Sequence, residues 1–157
     1  MNRVTNREKY HFDDFTENAY RDCLKLAKSR YTFINFHQLQ KPGRVCLWRH
    51  DVDTSPQRGL ALARIEKEEG IQSTFFFLLH SDRYNTLDYQ VREVIRNIQA
   101  LGHEIGLHFD PMYYGGDISN RENMEKWMTY ERDILSEVSG QPVRVFSFHN
   151  PSVNGLV

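Results

Sequence analysis

Apolar residues recur along this chain in two patterns, one typical of helices and one typical of buried strands. Helical spacing, with apolar residues three or four positions apart, occurs in four segments. These segments are residues 15–30, 56–69, 87–101 and 120–138. Short runs that are mostly apolar occur in four others, and we interpret them as strands buried in a sheet. These segments are residues 45–50, 73–79, 104–109 and 143–149.

The order of the segments predicts an α/β fold with a parallel sheet. From residue 45 onwards strand and helix alternate as β-α-β-α-β-α-β, which gives parallel strands joined by right-handed crossovers. A Lys-Pro-Gly turn at residues 41–43 precedes this region. We therefore expect an N-terminal helical extension over residues 1–43 and one (β/α) domain over residues 44–157. The pattern leaves a barrel and an open sheet as alternatives. A full barrel has about 250 residues, so we expect a barrel here to be truncated at its C-terminus.

Composition and charge exclude several classes of protein. The 157 residues carry a formal net charge of −1, and no basic stretch indicates nucleic acid or an anionic membrane surface as a partner. Neither a signal sequence nor a membrane-spanning segment is apparent. Cys23 and Cys46 fall in a helical and a strand pattern, which disfavours a disulfide and fits a reducing compartment. We therefore expect a cytoplasmic protein without membrane insertion.

Polar side chains able to bind a metal follow three of the four predicted strands. They are His50, Asp51 and Asp53 after the first, His108 and Asp110 after the third, and His149 and Asn150 after the fourth. In parallel α/β folds the carboxyl ends of the strands meet at one edge, which carries the reactive groups. An Asp-His-His set leaves a coordination position open for water. We therefore predict a divalent metal site formed by Asp53, His108 and His149. Asp51 is placed to take a proton from the water.

Several of these residues also have a purely structural interpretation. Residues 53–56, Asp-Thr-Ser-Pro, fit the start of the next helix, which they would cap with proline in the first turn. We favour for His50 the role of a core histidine whose ring is satisfied by a backbone carbonyl. His103 precedes its strand, so we expect it to be structural or at the surface. His80 is a candidate rim residue.

Three segments resemble motifs of the polysaccharide deacetylase superfamily, of the carbohydrate esterase family 4 type. Residues 49–53, Arg-His-Asp-Val-Asp, resemble its first motif, usually Thr-Phe-Asp-Asp-Gly. Residues 102–108, Gly-His-Glu-Ile-Gly-Leu-His, resemble its second motif, Gly-His-Glu-Ile-Gly-Asn-His, and residues 73–76 are similar to its Ala-Thr-Phe-Phe strand. The His-Asp-Val-Asp form is nearer to a divergent branch associated with surface-polysaccharide biosynthesis. The resemblance implies a distorted (β/α) barrel, here incomplete, and metal-dependent removal of acyl groups from N-acylated sugars.

The resemblance also implies a role for each matching position. Asp51 corresponds to the catalytic base of the family, Asp53 to its metal-binding aspartate and His108 to its first metal-binding histidine. The second histidine is expected four residues later, where this chain carries Met112. We expect His149 to supply that ligand, because it ends the next strand where the family usually carries Arg-Pro-Pro.

Residues near the same edge are candidates for substrate binding. Asp110 is the alternative to His149 as third ligand and otherwise a substrate-binding candidate, together with Tyr113, Tyr114 and Asn150. Zinc is the expected ion, with iron, manganese, cobalt and nickel as alternatives. We predict a metal-dependent hydrolase that removes an acyl group from a small N-acylated sugar or polysaccharide precursor. The alternatives are a deacetylase-fold protein that binds without catalysis, and a metal hydrolase acting on a non-sugar amide or a phosphoester.

Overall fold

The computed structural model describes residues 14–118 and 120–152, which form four α-helices, six strands and two 3₁₀ segments. The helices are α1 (Glu17–Lys28), α2 (Pro56–Glu68), α3 (Tyr89–Ala100) and α4 (Arg121–Ser139). The strands are β1 (Thr32–Ile34), β2 (Val45–Leu47), β3 (Arg49–Val52), β4 (Thr74–Leu78), β5 (Glu104–Phe109) and β6 (Phe146–Phe148). The 3₁₀ segments are Phe36–Gln38 and Pro111–Ile118. In this part of the chain, no helix is both long and apolar enough for a membrane span.

A four-stranded parallel sheet in the order β3-β4-β5-β6 forms the centre of the domain. Helices α2, α3 and α4 connect its successive strands, which confirms the predicted alternation of strand and helix. All five residues of β4 are buried, as expected of an apolar strand covered on both faces. The sheet curls into a half-barrel, and helix α1 precedes it in the chain. This confirms the expected distorted and incomplete barrel.

The first predicted strand is two strands that belong to different sheets. β2 pairs with β1 in a two-stranded parallel sheet, whereas β3 pairs with β4. The single strand expected at residues 45–50 was therefore wrong, and β1 was not predicted at all. Strands of three or four residues are too short to show a periodic pattern. Since β3 continues to Val52, Asp51 lies inside this strand and Asp53 directly follows it.

The start of α2 is capped by Ser55, which confirms that residues 53–56 form the cap of this helix. The Ser55 Oγ atom accepts a hydrogen bond of 3.3 Å from the Arg58 backbone N–H, and Pro56 occupies the first helical position. This is the arrangement expected of an N-cap followed by proline. Because Ser55 supplies the cap, the carboxylate of Asp53 is left for another role.

A buried polar cluster joins α1 and α2 to the sheet on the side of β3 away from Asp51. The Glu66 side chain is fully buried, and one of its oxygens lies 2.5 Å from the Nε2 atom of His50. The Tyr20 hydroxyl of α1 donates to the same oxygen. His103, 3% exposed, has its Nδ1 atom 3.6 Å from the other oxygen. His50 and His103 are therefore structural residues, although His50 is satisfied by a carboxylate rather than by the expected backbone carbonyl.

Candidate metal centre

Three strands bring an aspartate and two histidines together at the carboxyl edge of the half-barrel. Asp53 directly follows β3, His108 lies in β5 and His149 directly follows β6. One candidate ligand atom from each residue lies within 4.8 Å of the other two. Among the described residues this is the one group of three or more histidine, cysteine or acidic side chains that could hold a metal ion.

The spacing of the three ligand atoms fits a tetrahedral ion. The Nε2 atom of His108 lies 3.1 Å from the Nδ1 atom of His149 and 3.4 Å from the Oδ1 atom of Asp53. The third side of this triangle, from His149 Nδ1 to Asp53 Oδ1, measures 3.6 Å. Ligands at about 2.0–2.1 Å from a tetrahedral zinc ion are separated from one another by about 3.3–3.4 Å. The three side chains therefore fit such an ion with little change of position.

The Oδ1 atom of Asp53 provides an independent test of the site. The Asp53 side chain is 45% exposed as a whole, yet its Oδ1 atom is buried and has no hydrogen-bond partner in the described part of the chain. A buried carboxylate oxygen without a donor is costly, because it has lost its water and gained no compensating partner. A cation between this oxygen and the two imidazoles would remove that cost.

His108 is held with one ring nitrogen turned to the site. Its Nδ1 atom lies 2.8 Å from the hydroxyl of Ser147, the residue that faces it in β6, so its Nε2 atom is left for the cluster. Burial lowers the pKa of His108, and the charges of Asp51 and Asp53 oppose that shift. The ring is only 2% exposed. Burial thus favours the neutral imidazole, which is the form that binds metals.

His149 is oriented by its neighbour Asn150. The Nδ2 atom of Asn150 lies 2.8 Å from His149 Nε2, and Asn150 has a positive φ of 46°, a conformation that asparagine tolerates better than most residues. If its Nδ1 atom held a cation, His149 would carry its proton on Nε2 and would need an acceptor there. Asn150 offers that acceptor when its amide group is turned over, because amide oxygen and nitrogen exchange places in such a rotation.

Asp51 lies beside the cluster and is held by an arginine of the same strand. Its Oδ2 atom is 3.9 Å from the Nε2 atom of His108. The Nε and Nη2 atoms of Arg49 both donate to its Oδ1 atom, the former at 3.2 Å. The guanidinium of Arg49 lies over the ring of Phe76, 4.6 Å from its centroid. The paired oxygen is therefore fixed, and the second oxygen faces the histidines.

The other candidate residues lie around this centre and not in it. Asp110 is outside the three-residue group, and its Oδ1 atom accepts a 3.0 Å hydrogen bond from the Met112 backbone N–H. Met112, at the position where the family has its second histidine, is 62% exposed. Tyr113 is 58% exposed, whereas Tyr114 is half-buried and donates a 2.7 Å hydrogen bond to Glu131.

Sequence reasoning missed a second group of titratable residues at the same edge. Glu131 of α4 is 1% exposed, and its Oε1 atom lies 3.6 Å from the Nε2 atom of His80. Burial raises the pKa of Glu131 to about 7, and the charge of Asp110 adds to the shift. A signal was present, since Glu131 falls within the apolar stripe of α4, where an acidic residue needs a partner.

Arg49 and Ser147 were also missed as parts of the centre. Arg49 precedes Asp51 by two positions, so strand alternation places both on one face and predicts their contact once β3 is assigned. Ser147 precedes His149 by two positions, but its contact with His108 depends on the register of β5 and β6. The first contact could have been derived from the sequence, and the second could not.

Comparison with solved structures identifies the fold. The chain superimposes on IcaB from Ammonifex degensii with a TM-score of 0.63 and 17% identity, over 90% of this chain and 71% of that one. The Streptococcus pyogenes deacetylase PplD gives a TM-score of 0.63 and 12% identity, over 89% and 67%. A family 4 carbohydrate esterase from Bacillus anthracis gives 0.51 and 19%, over 82% and 56%. No protein-family model and no curated protein sequence matches this chain.

The structural matches and the sequence motifs agree on one architecture. The half-barrel brings together the segments that resemble the first two motifs of the superfamily, because β3 and β5 both pair with β4. Each of these three structures matches more than four fifths of this chain. The chain thus has the polysaccharide deacetylase fold that its sequence motifs predict.

Proposed function

We propose that this protein is a metal-dependent hydrolase that removes an acyl group from an N-acylated sugar or polysaccharide precursor. The observation that carries the proposal is the buried Oδ1 atom of Asp53 beside the ring nitrogens of His108 and His149. Structural zinc sites are closed by four protein ligands, whereas catalytic sites keep one position open. A three-residue set therefore favours catalysis, and the fold shared with a deacetylase and a carbohydrate esterase supports this class of reaction.

Zinc is the ion that suits these residues best in our proposal. Two imidazoles and one carboxylate are borderline ligands that zinc accepts in tetrahedral geometry, and iron, manganese, cobalt and nickel are the alternatives. A divalent ion held there would polarise the acyl carbonyl and lower the pKa of a water molecule towards about 7. Ser147 and Asn150 would keep the two imidazoles in the orientation that this role requires.

Asp51 is the proposed general base. Its Oδ2 atom borders the space next to His108, and Arg49 occupies its other oxygen. Asp51 would accept a proton as the water oxygen attacks the acyl carbon. The C–N bond then breaks, the amine leaves with the proton that Asp51 had accepted, and a carboxylic acid is released. Arg49 would act as a positioning residue, because its fork holds the Oδ1 atom of Asp51 and so fixes the direction of Oδ2.

An acylated sugar is the proposed substrate class. Of the matched structures, one is of a carbohydrate esterase and another, PplD, holds acetate. Tyr113 and Asn150 are exposed near the same edge of the sheet, where they are available for substrate contacts. We propose that Asp110 and Tyr114 influence substrate binding indirectly, because they hold the 3₁₀ segment after β5 in place. The formal net charge of −1 fits a small carbohydrate partner in the cytoplasm better than nucleic acid.

Metal content and product analysis test this proposal together. Purified protein is stripped with a chelator, reloaded with zinc and analysed for bound metal by mass spectrometry. It is then incubated with N-acetylglucosamine oligosaccharides, a non-sugar acetamide and a phosphoester, and acetate, free amine and phosphate are measured. We expect about one zinc per chain, and release of acetate together with amine from the oligosaccharide.

Variants of the proposed ligands provide the controls. Asp53→Ala and His108→Ala should lose both zinc and activity, whereas Asp22→Ala and His37→Ala, at exposed positions elsewhere, should keep both. Failure of the wild-type protein to bind zinc stoichiometrically would overturn the metal centre. Stoichiometric zinc without any product would instead favour a binding protein, and products from the other substrates alone would change the substrate class.

A further inference from the structure

Two aromatic rings at the rim of the metal centre form a flat stacked pair. The rings of His80 and Tyr113 are nearly parallel, at an interplanar angle of 3°, with centroids 3.5 Å apart. His80 thus covers one face of the Tyr113 ring, yet Tyr113 remains 58% exposed. Burial lowers the pKa of His80, which favours the uncharged imidazole in the pair. The exposed part of Tyr113 is therefore a flat apolar surface presented to solvent.

This pair lies at a groove with polar walls. The groove measures about 700 Å³, and its walls come from Tyr113 and from the segment after β4. Besides the two rings, its polar lining includes Ser81, Asp82, Arg83 and Asn85. An apolar aromatic surface bordered by a few polar side chains is the usual composition of a ligand site. A sugar ring has an apolar C–H face and a rim of hydroxyl groups, so it matches both kinds of surface.

Hydrogen bonds tie this groove to the segment that carries Asp53. The Ser81 hydroxyl donates a 3.3 Å hydrogen bond to the backbone carbonyl of Asp53. The Tyr84 hydroxyl donates one of 2.6 Å to the carbonyl of Val52, the last residue of β3. The groove wall is therefore joined directly to the edge of the metal centre.

Tyr114 fixes the position of its neighbour Tyr113. Its ring stacks on Trp127 of α4 with centroids 4.6 Å apart, and on Phe109 of β5 at 5.7 Å. Its hydroxyl donates a 2.7 Å hydrogen bond to the buried Glu131. Tyr114 thus fastens the 3₁₀ segment to α4 and is not free to bind a ligand. The two adjacent tyrosines have separate roles, one as an anchor and one as an exposed surface.

We propose that Tyr113, backed by His80, binds the sugar unit next to the one that carries the acyl group, and so determines specificity for oligosaccharides. This inference rests on the proposed function, since it assumes that the acylated unit lies at the metal centre. Stacking of a C–H face on the tyrosine ring removes apolar surface of both from water. A single acylated sugar would gain nothing from this contact, because it ends at the metal centre.

Kinetics with a long and a short substrate test the role of Tyr113. We compare the zinc-loaded wild-type protein with Tyr113→Ala and Tyr113→Phe on the N-acetylglucosamine tetrasaccharide and on the monosaccharide. Tyr113→Ala should raise KM for the tetrasaccharide roughly three- to tenfold, the range of one aromatic contact, and change kcat/KM for the monosaccharide by a smaller factor. Tyr113→Phe should behave as wild type, because the ring makes the contact. Tyr31→Ala, at a tyrosine 42% exposed before β1, is the matched control.

A binding measurement separates this inference from the proposed function. Calorimetric titration with the same tetrasaccharide, in an Asp51→Asn background that blocks turnover, should show the same loss of affinity in the Tyr113→Ala variant. Equal KM and equal affinity with and without the ring would overturn the inference, as would an equal loss on the monosaccharide. If the protein has no hydrolytic activity but its tetrasaccharide binding depends on Tyr113, the proposed enzymatic function is refuted and the sugar-binding site is retained.

Discussion

Asp51 and Asp53 are two positions apart, yet their carboxylates have different surroundings. Strand geometry turns both to one face of the sheet. Arg49 lies on that face as well and binds only the nearer carboxylate. The Oδ1 atom of Asp53 is instead buried near two imidazoles and lacks a hydrogen-bond donor within the described residues. The contact with Arg49, more than the spacing, distinguishes the proposed base Asp51 from the candidate ligand Asp53.

Replacing Asp51 by asparagine should remove activity and leave the metal in place. Asparagine keeps an oxygen that can accept from Arg49 but cannot take a proton from water. We expect kcat/KM to fall by about 10²–10⁴-fold, the usual contribution of a general base, with zinc content unchanged. Metal analysis and acetate release measure the two effects separately, and Asp53→Asn should lose both. Loss of zinc from Asp51→Asn would make Asp51 a ligand.

Replacing Arg49 by lysine should reduce turnover without affecting zinc. Lysine keeps the positive charge but not the fork that holds the Oδ1 atom of Asp51, and it stacks less well on Phe76. We expect kcat to fall about 10- to 100-fold through misplacement of Asp51, with KM nearly constant. Arg121→Lys, at an exposed position of α4, is the matched control. A change in KM alone, or in zinc content, would refute the positioning role.

At the scale of elements, the sequence predicts long periodic segments well and short ones poorly. The apolar run at β4 and the stripes of α2, α3 and α4 determine where these elements form, because many positions contribute to each pattern. β1 and β2 have three residues each, and their pairing depends on contacts across the chain. The ligand residues could be chosen from strand ends alone. Their distances, and the contacts of Ser147 and Glu131, depend on the register and on packing.

Gly106 in β5 is the glycine that the sheet least tolerates losing. A Cβ atom there would lie 2.5 Å from the ring of Phe76, the ring under Arg49. Gly106→Ala should lower the free energy of unfolding by about 1–3 kcal/mol through overpacking, measured by chemical denaturation. Gly59→Ala in α2 is the control, since its Cβ would make only ordinary contacts and alanine favours a helix. Equal stability of the two variants would contradict the packing at β5.

The contact between α4 and the 3₁₀ segment should depend on pH through Glu131. Its pKa rises from an ordinary 4.5 to about 7 on folding, so between these values the folded chain binds more protons than the unfolded chain. The contribution of Glu131 to the free energy of unfolding is fully present below about pH 4.5. It declines by about 1.4 kcal/mol per pH unit as the pH rises to about 7.

The variant Glu131→Gln isolates this effect, because glutamine keeps an acceptor for Tyr114 and does not titrate. We expect the difference in unfolding free energy between wild type and variant to change with pH over this range, in favour of the variant at higher pH. Denaturant titrations at several pH values measure it. A constant difference would show that Glu131 is not perturbed in the folded protein.

At the scale of the whole molecule, the candidate ligands join parts of the chain that are distant in sequence. Asp53 directly follows β3, His108 lies in β5 and His149 directly follows β6. Along the chain α2 and α3 lie between Asp53 and His108, and α4 lies between His108 and His149. In the unfolded chain these residues do not form a site. Binding of an ion to all three therefore favours the folded sheet as a whole, and stability reports metal binding without any assumption about the substrate.

Zinc should accordingly raise the melting temperature of the wild-type protein. At a free concentration one hundred times the dissociation constant, binding to the folded state alone adds about 2.7 kcal/mol. For a chain of this size that corresponds to a shift of roughly 5–10 °C in a thermal scan. The shift should be absent in His149→Ala and Asp53→Ala, and retained in His37→Ala, whose histidine lies at the opposite end of β5 near Glu104. An equal shift in all four proteins would mean that zinc binds elsewhere, because only the wild-type protein and the His37 variant keep the complete set of ligands.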